Sequence, residues 1–292
     1  MSTATIAQPP ASMDAPVRKR GLSQWQLWGI ILVIPYLLVF VLFVIYPVFY
    51  AFWLAHSPES YVKLYNDPIF ARAVVNTLIF IFVAINLKMA VALALSGFFL
   101  HDRVWIRWLS VIFILPWAVP SIPTILSVRF MLNPEWGIIN QTWFKLTFED
   151  GPNWLNDPRL GLFFAMLVHI WKSLPFWTLI LLSGRLAISN DLYEAASVDG
   201  SNGLQKFRYI TWPSISQLYL TCALLSAIWT LGDFNSVYLL TGGGPADLTH
   251  VLATLGIRYL RLAEVDLSMA TIVCALPIIL PIVYVLMKRL SK

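Results

Sequence analysis

Six apolar runs set what this chain can become: Leu27 to about Phe52, Val74 to Leu100, Trp105 to Val128, Leu160 to Leu182, Ile215 to Leu240 and Leu267 to Met287. Each is near or above the roughly 20 residues that cross about 30 Å of hydrocarbon at about 1.5 Å per residue. Inside hydrocarbon the backbone must satisfy its own polar groups, so runs of this length specify spanning helices. The expected fold class is an all-α integral membrane protein with six transmembrane helices in residues 25–292, preceded by a flexible tail over 1–24 that is rich in Ala, Pro, Ser and Thr. The first run exceeds the apolar core of about 7 to 15 residues found in a secretory signal. A composition of 59% hydrophobic and 12% charged residues excludes an ordinary soluble domain.

The charges that remain orient the chain. With the N-terminus inside, the inner segments carry Arg18, Lys19, Arg20, Arg103, Arg107, Arg185, Lys206, Arg208, Lys288, Arg289 and Lys292. The outer segments carry fewer: Lys63, Arg72, Arg129, Lys145, Arg159, Arg258 and Arg261. That excess predicts an N-in, C-in topology. The net charge of +5 belongs to these flanks and forms no basic patch with interleaved aromatics, so the partner it implies is membrane lipid rather than nucleic acid. Cys222 and Cys274 fall inside apolar runs and read as core residues.

Between the fourth and fifth runs lies a polar island, about residues 189–214, on the side this topology makes cytoplasmic. Asp191 with Glu194 can cap a short helix that Gly200 stops, and Asn202 with Gln205 can open a second that Pro213 ends. Leu204, Phe207 and Ile210 share one face of that second helix and can lock it onto the membrane core, while Glu194, Asp199, Lys206 and Arg208 stay wet. Ala195 and Ala196 permit close approach by a neighbouring surface, and Gly200 permits a sharp turn. A helix, turn, helix of this kind can dock a partner, or rest on its own membrane domain.

Three charges lie within apolar runs: Lys88, Lys172 and Asp233. Each costs about 2.5 to 3.5 kcal/mol on insertion scales, so each must face a bundle interior or an aqueous cavity. Either they line a solute pathway, or Lys172 or Lys88 pairs with Asp233 as interhelical glue, or a lysine snorkels. Ser173 and Phe176 stand near Lys172, and Ser226, Trp229, Thr230 and Asn235 near Asp233. Aromatic faces beside hydroxyl and amide groups suit a sugar ring. His56, His101, His169 and His250 are scattered without metal-ligand spacing, so no metal site is expected. Gly242-Gly243-Gly244-Pro245 lacks the Lys-Ser/Thr ending of a phosphate loop, so ATP, if used, must bind another subunit. Pro116, Pro120 and Pro123 in the third run, and Pro277 and Pro281 in the last, predict kinked or broken helices.

The island resembles the coupling loop of permease subunits of binding-protein-dependent ABC importers: Glu194-Ala195-Ala196, Asp199-Gly200-Ser201, Phe207, Ile210 and Trp212-Pro213 follow the family pattern, with Ser201 for Ala and Trp212 for Leu as departures. Asn76-Thr77, Trp136-Gly137-Ile138-Ile139-Asn140, Phe234-Asn235-Ser236-Val237-Tyr238-Leu239-Leu240 and Thr241-Gly242-Gly243-Gly244-Pro245 are similar to its carbohydrate-uptake branch. The resemblance implies a non-catalytic subunit in a bacterial cytoplasmic membrane, paired with a second related permease, two ATP-binding subunits that use ATP and Mg, and an external solute-binding protein. It implies coupling at Glu194, Ala195, Ala196, Asp199, Gly200, Phe207, Ile210 and Pro213, and places Gly242, Gly243, Gly244 and Pro245 toward the binding protein. The chain itself would bind no cofactor and would pass a sugar or sugar-like solute by alternating access. The competing reading is an ion- or proton-coupled secondary transporter that uses Lys88, Lys172 and Asp233 as its relay.

Overall fold

A computed structural model describes residues 23–290, and among them every regular element is helical. In chain order these are α1 Gln24–Leu54, α2 Pro58–Asn66, α3 Pro68–Phe98, α4 Val104–Ala118, α5 Ser121–Met131, α6 Ile138–Thr147, α7 Pro158–Leu186, α8 Asn190–Val198, α9 Gly203–Leu231, α10 Asn235–Leu240, α11 Leu252–Arg261, α12 Val265–Val273 and α13 Leu276–Leu290. The tail expected over 1–24 lies outside the described residues, apart from Ser23 and Gln24 at the start of α1. Contacts divide the chain into residues up to Ala51 and residues from Phe52 onward. The described part of the first unit is α1 up to Ala51, opened by a reciprocal capping box between Ser23 and Gln26 and apolar on all sides.

In the second unit, α3 and α7 are the long central pair. Both open the same way: Asp67 accepts from the Ile69 amide (2.8 Å) and Asp157 from those of Arg159 and Leu160 (2.8 and 2.9 Å), each followed by a proline in the first turn. The two helices run parallel, since Phe80 meets the ring of His169 and, further along both, Leu93 meets Arg185. Their contact is apolar around Phe80, Ala84, Ala165 and Val168, then around Met89, Ala92, Trp177 and Leu181, which are all buried.

Among the described residues five helices are long and apolar enough to cross a membrane, and the third run would make a sixth. That run is not one helix: α4 and α5 are bent by 97° at Val119 and Pro120. The fifth run also departs from the expected 215–240. Helix α9 begins at Gly203, inside the island, and stops at Gly232, after which α10 is a separate short helix. The last run breaks at Cys274 and Ala275, and α13 continues through Pro281.

Pro213 does not end the second island helix. The backbone widens to a π turn over Phe207–Thr211 and the helix carries on. A π turn over Val41–Ile45 likewise precedes Pro47 in α1. In each case a proline stands two residues past the wide turn, where its missing N–H would leave a carbonyl one turn back unpaired; the altered register re-forms the ladder there.

Three polar residues tie separate segments together. Asn76 Nδ2 donates to the carbonyls of Leu248 and His250 (2.8 and 2.9 Å), and Thr77 Oγ1 accepts from the Leu252 amide (2.9 Å), which fixes the start of α11 against α3. Asn140 does the same for the segment around α6: its Nδ2 donates to the Pro134 carbonyl (3.1 Å) and its Oδ1 accepts from Trp154 Nε1.

Candidate functional site

Where α3, α7 and the end of α9 meet, three titratable side chains form a chain of contacts. Lys88 Nζ lies 3.1 Å from His169 Nε2 and 3.4 Å from Thr230 Oγ1, and His169 Nδ1 lies 2.6 Å from Asp233 Oδ2. With Nζ donating to Nε2, the imidazole proton sits on Nδ1 and is donated to the carboxylate. Asp233 Oδ1 also accepts from the Ser236 amide (3.2 Å), so both carboxylate oxygens are engaged. Lys88 is 1% exposed and its ammonium lies 5.9 Å from the centre of the Trp177 ring, a cation over an aromatic face.

Of the alternatives for the buried charges, a direct lysine–aspartate pair is not the one the geometry shows. Asp233 meets His169, and Lys88 reaches it only through that imidazole. In the sequence His169 is one of four scattered histidines; the signal that points to it is that Lys88 and Asp233, both in apolar runs, need a polar partner on a buried face.

Lys172 has a separate role in the geometry. Its Nζ donates to the carbonyls of Pro116 (2.8 Å) and Val119 (2.7 Å). In a continued helix those carbonyls would accept from the residues four further on, Pro120 and Pro123, and neither has an N–H. The ammonium supplies the donors that the two prolines remove, and so caps the break between α4 and α5.

A cavity of about 280 Å³ opens against these groups, lined by Trp117, Ser121, Ile125, His169, Lys172, Ser173, Phe176, Trp177, Trp229, Asp233, Asn235 and Ser236. It brings together Lys172, Ser173, Phe176, Trp229, Asp233 and Asn235 of the residues expected along a solute pathway. Ser226 and Thr230 lie outside it, both buried, Thr230 behind His169. One wall is aromatic: Phe176 stacks on Trp117 (ring centres 5.6 Å apart) and tilts against Trp229 (5.4 Å). Trp117 comes from the last turn of α4, and the fold about the break is what brings it here. Ser173 Oγ is turned back onto the His169 carbonyl (2.7 Å), which leaves the Asn235 amide and the Ser121 hydroxyl beside the aromatic faces.

The island has the expected helix, turn, helix outline with different details. Helix α8 is capped by Ser189, whose Oγ accepts from the Asp191 amide (3.2 Å), rather than by Asp191. Gly200 ends it at φ 76°, with the Ser201 amide returning to the Ala196 carbonyl (2.9 Å). Asn202 and Gln205 form the expected capping box at the start of α9 (2.8 and 2.9 Å). Glu194, Ala195, Asp199 and Gly200 are exposed, and Ala196 is half-buried. Phe207 and Ile210 are half-buried, but Leu204 is 76% exposed, so the expected three-residue seam reduces to two. The two arms are joined by Tyr193 and Thr211 (hydroxyls 2.8 Å apart) and by Lys206 Nζ to Ser197 Oγ (2.6 Å).

The glycine loop after α10 folds inward. Gly243 is buried at φ 92°, and a Cβ there would fall 2.1 Å from the His250 ring. Thr249 Oγ1 bonds to Thr241 Oγ1 (2.8 Å) and to the Gly244 carbonyl (2.7 Å). Gly242 is the exposed member of the four; Gly244 and Pro245 are half-buried. His250 Nδ1 meets Thr254 Oγ1 (3.0 Å) and Nε2 meets Asp247 Oδ1 (3.2 Å). Burial holds the His250 imidazole below its ordinary pKa, and Asp247 opposes that shift.

Long apolar helices, broken where prolines interrupt them, around a small polar cavity define a multi-pass membrane protein of the transport class. The chain belongs to the family described as the binding-protein-dependent transport system inner membrane component, matched over residues 87–292. It is 30% identical over 275 residues to the trehalose/maltose transport system permease protein MalF of Thermococcus litoralis, covering 89% of this chain and 92% of that one. It is 29% identical over 261 residues to the sulfoquinovosyl glycerol transport system permease protein SmoG of Agrobacterium fabrum, covering 81% and 84%. A solved bacterial alginate ABC transporter, in complex with a periplasmic protein bound to alginate pentasaccharide, contains a chain that superposes with a TM-score of 0.80 at 22% identity, covering 90% of this chain and 92% of that one. That likeness establishes the fold.

Proposed function

We propose that the chain is a permease subunit of an ATP-driven importer in a bacterial inner membrane, with six spans, both termini in the cytoplasm and the membrane domain occupying 25–292. It forms half of a pathway for a sugar or sugar-like solute, beside a second related permease. The ATP and Mg chemistry belongs to two separate ATPase subunits, and an external solute-binding protein delivers the cargo. The observation that carries this reading is the exposed island: Glu194, Ala195, Asp199 and Gly200 stand clear of the fold, and nothing lies within 4 Å of where a Gly200 side chain would begin. A surface of small residues around a left-handed turn can enter a partner's groove. Phe207 and Ile210 hold it to the core, and Pro213 lies where it continues into α9. The aromatic wall with Asn235, Lys172 and Asp233 offers a sugar one stacking face and several polar groups. Gly242 at the opposite loop, supported by Gly243, Gly244 and Pro245, is assigned to the binding-protein side.

Glu194→Lys combined with Gly200→Asp tests this directly. Expected is loss of ATPase co-purification with normal membrane insertion; unchanged co-purification refutes the assignment.

One observation favours a second reading, a proton- or ion-coupled secondary transporter. The contact chain Lys88, His169, Asp233 is a buried titratable relay next to the cavity, with Lys172 beside it. The energy source separates the two. Uptake that ignores ATP depletion and collapses with the proton gradient supports the second reading and sinks the first.

A further inference from the structure

Arg185 sits in the last turn of α7 and is joined to two other elements. Its Nη2 donates to the Leu93 carbonyl of α3 (3.0 Å), and its guanidinium lies 5.8 Å from the centre of the Phe207 ring, in the π turn that joins the island to α9. The fit is close. A Cβ on Gly97 of α3 would fall 2.6 Å from Nη1, so the guanidinium occupies the space a side chain would take. No ion pair among the described residues includes Arg185, and its Nε is buried without a hydrogen-bond partner. A cation held without a counter-ion and with one N–H unpaired is a poor way to glue helices. It is a good way to join three elements that must move together: the planar group reaches a carbonyl on one side and an aromatic face on the other, which an aliphatic side chain would not do.

We propose that Arg185 is the positioning residue that transmits movement of the island to the central pair α3 and α7. The inference rests on the reading of the island as the ATPase seat. When the island shifts, the Phe207 ring carries the guanidinium with it, and the guanidinium pulls on the Leu93 carbonyl and on its own helix. Arg185 thus links the ring in the π turn to the Leu93 carbonyl of α3.

The test uses the assembled transporter with its ATPase subunits in proteoliposomes, reading co-purification, uptake and ATP hydrolysis. For Arg185→Gln, expected is retained co-purification with uptake per ATP hydrolysed reduced at least about fivefold, the low end of ordinary site-to-site coupling. Arg185→Lys should restore most of it, because an ammonium can still donate to Leu93 and face the ring. Gly97→Ala provides a second route that leaves the charge in place. Its Cβ displaces the far end of a flexible side chain, so the fold survives while the link is disturbed, and the same fall in uptake per ATP is expected. An unchanged ratio in Gly97→Ala and in Arg185→Gln overturns the proposal; so does a parallel loss of ATPase association, which would make Arg185 a fold anchor. If Arg185→Gln does not fold, Gly97→Ala decides alone. A wild-type complex with no ATP-driven uptake would instead sink the functional reading.

Discussion

His169 Nδ1 and Asp233 Oδ2 stand 2.6 Å apart between the middle of α7 and the gap that separates α9 from α10. The contact closes a chain from Lys88 to the cavity wall, so a charge buried at 1% exposure is compensated through an imidazole rather than by direct pairing.

Breaking that chain at one end strands the other. Lys88→Met alone or Asp233→Asn alone should each lower the stability of the detergent-purified protein by about 3 to 5 kcal/mol, the range for an orphaned buried charge. The double variant should recover part of the loss, because neither charge then remains. Thermal melting of the four proteins completes the cycle; strict additivity would show the two groups to be uncoupled. Asp233→Ala should in addition impair uptake while ATPase docking persists, and equal loss of assembly would make Asp233 structural.

Lys172→Met removes the two donors that serve the Pro116 and Val119 carbonyls. Two unpaired carbonyls at about 1 to 3 kcal/mol each should loosen the bend between α4 and α5. Faster amide exchange at Ile122, Thr124 and Ile125 relative to α7 would report it, and unchanged exchange there would show that another donor or water takes over.

Gly243→Ala and Gly203→Ala should behave oppositely. The first places a Cβ against the His250 ring at a left-handed backbone angle, and should cost several kcal/mol from clash and strain together. The second meets open space in the first turn of α9, and should be neutral or slightly stabilising. Melting temperature and yield of folded protein distinguish them.

His250 gives the extramembrane loop a pH response. Its imidazole is depressed in the fold, chiefly by burial, so the neutral form is favoured; Asp247 and Arg258 are the charged groups acting on it. The folded state thus binds fewer protons than the unfolded one, and stability is full above about pH 6.5, the unfolded value, and falls as pH drops below it. Melting at pH 7.5 and pH 5.5 should show this, and His250→Gln should flatten the difference.

The apolar runs were legible because hydropathy alone demands helices of that length, and the Asn202–Gln205 capping box because it is written in adjacent residues. The 97° turn was only half legible: Pro116, Pro120 and Pro123 announce a break, but its angle depends on Lys172, some fifty residues away, accepting the role of donor. The role of His169 was hidden for the same reason, since a lone histidine in an apolar run has no periodicity or spacing to mark it. Asn76 and Thr77 stood out only through family resemblance; the structure supplies the cause, three hydrogen bonds that hold α11 to α3. Pro213 misled because a proline in a helical pattern normally marks an end, whereas a wider turn placed just ahead of it absorbs the missing donor.

That wider turn has a mechanical consequence. Because α9 runs without interruption from Gly203 to Leu231, its 29 residues form a single strut of about 43 Å, longer than the hydrocarbon is thick. A small tilt imposed at the exposed end is not absorbed by a hinge at Pro213. The strut stops at Gly232, next to Asp233, so its far end stands beside the residues that face the cavity.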